Sequence, residues 1–304
     1  MRQGIVLLLA FVLSSAPASV HAGPKKQKNA DPSTIGQRDI NKGRWNLYPP
    51  EREIAMGDAL ARQVAATSRL LKDPVVLAYV TSVAERVARH SDLKVPLRVQ
   101  VIDSDELNAY ALPGGHFFVN TGLLLETETE AELAGVIAHE IAHVAARHTT
   151  RQMTRVQVWN WMSMPLLFVS GPVAAGLQQG LMLAVPLSFM KFSRSAEREA
   201  DFLGQQYHYA SGYDPMAFVT FFERVKQREK GPRSGIARAF STHPMTKDRI
   251  VAAQRSIEQD LPPKEEYVVT TSAHDEIRAY LSRLVGERRG SEAGGRPVLR
   301  RRSE

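Results

Sequence analysis

The chain has 304 residues, 43% of them hydrophobic, enough for one sizeable core with tails. It contains no cysteine, which excludes disulfides, cysteine-ligated metal sites and a lipid-modified N-terminal cysteine. Its formal charge of +7 sits at the ends, with net +4 over residues 23–44, net +3 over 287–304 and net −1 from 45 to 286, so no nucleic-acid partner is expected.

Residues 1–22 read as a secretory signal: Arg2, the apolar run Gly4–Leu13, then small residues ending Val20-His21-Ala22. That run is too short to cross a bilayer. The expected location is therefore outside the cytoplasm, soluble or peripheral to a membrane. Residues 23–50, rich in Pro and Gly, read as a linker and extended approach. Helical patterns follow at Glu51–Leu71 and at Pro74–His90, the second starting with a proline after Asp73. Leu97, Val99 and Val101 alternate with polar residues, as in a half-buried strand.

Asn108–Gly115 is a turn-rich approach to a short strand, His116–Asn120, which Gly122 breaks. Gly114 and Gly115 permit positive φ or close approach of another backbone. A strand edge here can pair with an extended polypeptide, which makes Asn108, Gly114, Gly115, His116, Phe117 and Phe118 candidates for substrate binding. The competing reading is a plain hairpin that packs the helices.

The next helix carries His139-Glu140-Ile141-Ala142-His143. Leu133, Val136, Ile137, Ile141 and Val144 supply its apolar stripe, and Thr127 with Glu130 has the spacing of a capping box. His139 and His143, four apart, leave one face of a helix, so both imidazoles can hold one Zn²⁺ while Glu140 meets a water beside it. Thr149 stands where the extended metzincin pattern needs its third His. A third ligand must come from elsewhere.

Residues 156–192 form an apolar insertion in which only Lys191 is charged, interrupted by Pro165, Pro172 and Pro186. It reads as two short helices in a hairpin. Three roles stay open: a buried plug, a contact with protein, or a contact with a membrane surface or the outer-membrane assembly machinery. Beyond it, Ser193–Gly204 reads as a second helix. Glu197 can complete the coordination, and Asp201, one turn on, can accept the free N–H of a ligating His. Ala200 and Gly204 allow close packing on the first helix. Glu199 falls on roughly the opposite side and is expected to be exposed. Past Ser241-Thr242-His243-Pro244, a helix over Asp248–Gln259, a strand over Glu266–Thr271 and a helix over Ala273–Val285 precede a basic tail, 287–304.

These motifs together resemble the zinc metallopeptidases that include the CAAX prenyl endopeptidases, HtpX, and the periplasmic BepA-type and mitochondrial Oma-type proteases. Asn108–Gly115 with Thr121-Gly122-Leu123-Leu124, His139–His148 and Ser193–Gly204 carry the resemblance, in matching order, across roughly residues 50–255. It implies an α+β, mainly helical gluzincin-type domain over 51–260, with a small antiparallel sheet next to the H-E-x-x-H helix. It implies one Zn²⁺ per chain on His139, His143 and Glu197, with Glu140 as base. Integral-membrane branches carry several long spans; this chain has no uninterrupted one and resembles the exported branch. In BepA-type enzymes a His-Pro loop can close the metal's open position, and His243 matches it. The alternative is a loop histidine ahead of a helix start at Pro244. A BepA-type protein also carries a helical-repeat tail, which is missing here and puts that docking partner in doubt. The expected function is hydrolysis of polypeptides, misfolded or unassembled envelope proteins, by attack of a water that Glu140 deprotonates. The alternative is a periplasmic chaperone or assembly factor with latent peptidase activity.

Overall fold

A computed structural model describes residue 29, residues 31–169, 192–229 and 246–294, and His243. Its elements run α1 (Pro50–Thr67), α2 (Pro74–Arg89), β1 (Arg98–Ile102), β2 (Ala109–Leu112), β3 (His116–Asn120), α3 (Thr121–Glu126), α4 (Glu130–Ala145), α5 (His148–Val169), α6 (Arg194–Ala210), α7 (Met216–Glu229), α8 (Lys247–Asp260) and α9 (Ser272–Gly294). The fold is mainly helical with one small sheet, as expected. The sheet, however, is mixed. Its order is β1-β3-β2, with β1 parallel to β3 (Val99 opposite Phe117) and β2 antiparallel to it (Ala111 opposite Phe117).

Helix α4 is the axis of the domain. All sixteen of its residues are buried, between α2, α6, α7 and β2. An apolar stripe alone would bury one face; α4 is covered on every side. Its cap lies two residues later than the sequence suggests. Thr129 Oγ1 accepts from Glu132 N at 3.2 Å, and the Glu132 carboxylate accepts from Glu128 N at 2.7 Å. Thr127 instead closes α3, its N–H donating to Leu123 O. Buried Glu130 accepts hydrogen bonds from the Tyr79, Tyr213 and Thr271 hydroxyls, tying the C-terminal segment to the start of α4.

Residues 31–49 are not the extended approach the sequence suggests: they form a short 3-10 helix, Pro32–Thr34, and a series of turns that strap the body. Asp92 accepts from Gly36 N and from Arg38 Nε at 2.7 Å each, and Ile40 is buried in the core. Asn41 Nδ2 donates to Ala145 O, a carbonyl left free at the end of α4. Residues 266–271 do not form a strand; Val268 makes a single bridge to Tyr213. Of the apolar insertion, α5 runs through position 165 to Val169, and residues 170–191, like the secretory signal and the end of the basic tail, lie outside the described residues.

Gly114 and Gly115 adopt φ of +75° and +89° in the turn before β3, and α1 packs on that turn. A Cβ on Gly57 would lie 1.7 Å from Pro113 O, a backbone atom that cannot step aside. Gly57→Ala should therefore cost about 1–3 kcal/mol, read as a lowered urea midpoint with unchanged slope. An unchanged midpoint would mean that α1 does not pack on this turn in solution.

Candidate metal centre

Helix α4 presents His139 and His143 on one face, with Nε2 atoms 3.1 Å apart. Helix α6 crosses it closely because Gly204 has no side chain; a Cβ there would stand 3.0 Å from His139 Cα. That approach brings Glu197 within reach, Oε2 at 3.6 Å from His139 Nε2 and Oε1 at 3.6 Å from His143 Nε2. His243 enters from the chain ahead of α8, with Nδ1 at 2.8 Å from Glu197 Oε1 and 3.5 Å from His139 Nε2. All four residues are buried, and one ligand atom from each fits within 4.8 Å of the others. Asp201 Oδ1 lies 3.1 Å from His139 Nδ1, as its spacing from Glu197 suggests.

The donor set fits a tetrahedral divalent cation. Bonds of about 2.0–2.1 Å to N and O imply ligand edges of roughly 3.4 Å, close to the observed spacings. The tautomers argue the same way. If His139 Nδ1–H donates to Asp201 and His143 Nδ1–H donates to His148 Nδ1, at 2.9 Å, both Nε2 atoms present bare lone pairs to each other. Such a pair, out of water, calls for a cation between them. A cation there would be bound by neutral imidazoles and one carboxylate.

The surrounding charges agree. Burial alone would depress the His139 imidazole, but Asp201 and Glu197 outweigh it and raise it to about 9, a measure of how strongly this position attracts a cation. Burial, then the neighbouring imidazoles His243 and His139, pushes His143 well below its usual value, so that it stays neutral. Burial opposes ionisation of Glu197 and Asp201. Hydrogen bonds from His139 and His243 nonetheless hold Glu197 below the carboxylate range, and those from Arg249 and His139 do the same for Asp201. Burial raises Glu140, the one carboxylate of the site shifted toward holding a proton. Glu140 Oε2 accepts from Ala111 N at 3.2 Å, and Oε1 lies 3.7 Å from His243 Nε2.

The comparisons with known proteins decide the family. A sequence model described as peptidase family M48 matches residues 75–257. The chain belongs to peptidase family M48. The mainly helical fold is thus a metallopeptidase domain of that family, with its H-E-x-x-H helix at the centre. The beta-barrel assembly-enhancing protease of Yersinia pestis is 31% identical over 267 residues, covering 85% of this chain and 54% of that protein. The protein of the same name from Escherichia coli (strain K12) is 31% identical over 219 residues, covering 69% and 45%. Mitochondrial metalloendopeptidase OMA1 of Schizosaccharomyces pombe is 36% identical over 248 residues, covering 78% and 69%. The chain spans about half the length of the bacterial relatives it matches.

Several expectations for this M48 site need correction. Phe117 and Phe118 are fully buried on β3, which is paired on both sides, so neither can dock a substrate strand. Gly114 and Gly115 are buried under α1, and His116 is held by Asp58 at 2.7 Å. Among the described residues the free edge facing the site is that of β2: Ala111 N–H points to Glu140 rather than to β3. Asn108 stands just before that edge, its backbone oxygen accepting from Asn120 N. Glu199 is not an exposed residue. It accepts from His148 Nε2 at 3.3 Å and Arg151 Nη1 at 3.2 Å, because α5 doubles back beside it. The turn that allows this is Arg147, at φ +54°, whose guanidinium is held by Glu53 and by Tyr48 O. Only the run His143–His148 hinted at His148. Arg249 carried no motif at all, yet it donates to Asp201 through Nε and Nη2, at 2.7 and 2.6 Å, with Nη1 2.9 Å from Glu197.

Proposed function

We propose that this chain is a zinc-dependent endopeptidase of the cell envelope, with His139, His143 and Glu197 as metal ligands and Glu140 as general base. The observation that carries the proposal is the juxtaposition of a buried three-ligand cluster with Glu140 and with the free edge of β2. Zn²⁺ held there would polarise the scissile carbonyl and lower the pKa of water toward roughly 7. An extended polypeptide adds to β2 as a further strand, which sets its carbonyl beside the cluster. Glu140 accepts a proton from the attacking water and passes it to the leaving amine. Asp201 holds the His139 ring by accepting its Nδ1–H. The names of the bacterial relatives support outer-membrane β-barrel proteins and their assembly as the setting, with the periplasm as location. Misfolded or unassembled envelope proteins are the proposed substrates.

The test is metal analysis with casein hydrolysis. Wild type is expected to bind one Zn²⁺ and cleave, and Glu197→Ala to lose the metal. Normal zinc content in that variant would remove Glu197 from the site.

His243 favours a second, latent state. With it the donors number four, the closed count of structural zinc sites, whereas a catalytic site keeps one position open. A chaperone or assembly role with the peptidase held shut fits that geometry. His243→Ala is expected to keep zinc and to raise the casein rate several-fold. Loss of zinc in this variant would instead make His243 an ordinary ligand, and an unchanged rate would mean that it does not cover the site.

A further inference from the structure

The imidazoles of His139 and His143 are mounted on the same plan. Each ring has an acceptor at Nδ1 and a phenyl ring on its face. For His139 these are Asp201 Oδ1, at 3.1 Å, and Phe218, with ring centroids 5.8 Å apart and planes at 23°. For His143 they are His148 Nδ1, at 2.9 Å, and Phe192, with centroids 4.2 Å apart and planes at 26°. The plan differs at one point: a carboxylate stands behind His139, whereas an imidazole stands behind His143.

A neutral imidazole accepts only through the nitrogen that lacks the proton. His148 must therefore keep its proton on Nε2 to leave Nδ1 bare. Its surroundings supply the reason. His148 Nε2 lies 3.3 Å from Glu199 Oε2. Glu199 also accepts from Arg44 Nη2 at 3.0 Å and from Arg151 Nη1 at 3.2 Å, two cations that favour the carboxylate. A carboxylate only accepts, so the proton of His148 belongs on Nε2. His148 Nδ1 then accepts from His143 Nδ1–H, and His143 Nε2 is left bare toward His139 and Glu197. Without that acceptor the proton of His143 could sit on Nε2, where a cation has to bind. His148 is 2% exposed, so bulk water cannot take its place.

The backbone is shaped for this contact. On a continuous helix, position 148 would lie about 140° round from position 143. Instead α4 stops at Ala145, Arg147 takes φ of +54°, and α5 begins at His148. Arg151 pins the turn, its Nη1 also donating to Ala146 O at 3.0 Å.

We propose that His148, oriented by Glu199, is a positioning residue for the metal ligand His143: it accepts a hydrogen bond from Nδ1–H of that ring and so keeps Nε2 bare for the cation. The inference rests on the zinc reading above. A partner of this kind is worth about 10–100-fold in metal affinity.

The test is the zinc affinity of the full chain, measured by competition with a chromophoric chelator. The tautomer of His143 in the metal-free protein is read from ¹⁵N chemical shifts. Wild type is expected to bind zinc and to show Nδ1–H at His143. His148→Leu should weaken zinc binding by roughly 10–100-fold and let the Nε2–H form appear. His148→Asn puts an amide oxygen close to the place of Nδ1 and should recover most of the affinity. Glu199→Met should give a smaller loss, with the proton of His148 divided between its two nitrogens. Urea midpoints of the metal-free variants correct each affinity for the folded fraction. Undiminished affinity in His148→Leu, or equal losses in His148→Leu and His148→Asn, would overturn the proposal, the second by showing that the ring only fills space. Unchanged affinity in Glu199→Met would overturn the part given to Glu199. These failures leave the zinc site standing, whereas a wild type that binds no zinc would overturn both.

Discussion

Glu140→Gln is expected to retain zinc at one per chain and to lose peptide cleavage by roughly 10²–10⁴-fold or more. The substitution keeps the shape of the side chain and the contact that Oε2 makes with Ala111 N. It removes the ability to take a proton. Glu140 is not placed as a ligand: its oxygens face β2 and His243, while the imidazole Nε2 atoms of His139 and His143 face each other and Glu197. Burial also raises its affinity for a proton, which is what a base working near neutral pH needs. Metal content, read by atomic spectroscopy, and cleavage of an internally quenched peptide separate the two roles. Full activity in the variant would remove Glu140 from the chemistry, and loss of zinc would reassign it as a ligand. The same variant addresses the latent reading, because equal rescue of envelope assembly by both forms would favour a chaperone.

What could be read from the sequence at this site are features set by local helical geometry. His139 with His143, and Glu197 with Asp201, follow from rise and turn along one helix each, and each pair faces as the spacing requires. What could not be read depends on which other element arrives there. The helical angle places Glu199 opposite Glu197 correctly, but it says nothing of α5 returning to cover that side. His116–Asn120 forms the strand predicted for it, yet whether a strand is central or at an edge is a matter of pairing with segments elsewhere. The run Phe117-Phe118-Val119 is apolar without alternation, the mark of a strand covered on both faces, a signal that the reading of these residues as a substrate edge left unused. The two-residue displacement of the α4 cap has a similar origin: Thr127 and Thr129 are both able caps, and Glu130 is taken by the hydroxyls of Tyr79, Tyr213 and Thr271.

Arg249→Met is expected to destabilise the fold by about 3–5 kcal/mol, the largest stability effect of any single change considered for this chain. The guanidinium is buried and is shared by Asp201, through two hydrogen bonds, by Glu197, and by the backbone oxygen of His243 at 3.3 Å. Methionine fills a similar volume, so the cost is that of leaving carboxylates out of water without their cation. Zinc would offset part of it, since Glu197 would gain a metal, but Asp201 would keep only its 3.1 Å contact with His139 Nδ1. Lysine should recover less than half, because one ammonium cannot reproduce the fork that meets Asp201 on both oxygens. Urea unfolding with and without zinc measures each term. A second substitution distinguishes charge from packing: Asp201→Asn in the Arg249→Met background removes the stranded carboxylate, and at least half of the lost stability should return. No recovery would mean that Arg249 acts by filling space. The same side chain touches Glu197, the proposed third ligand, as well as Asp201 and the carbonyl of His243. Its loss should therefore loosen the cover along with the metal, so that weaker zinc binding accompanies faster exchange of the His243 backbone amide.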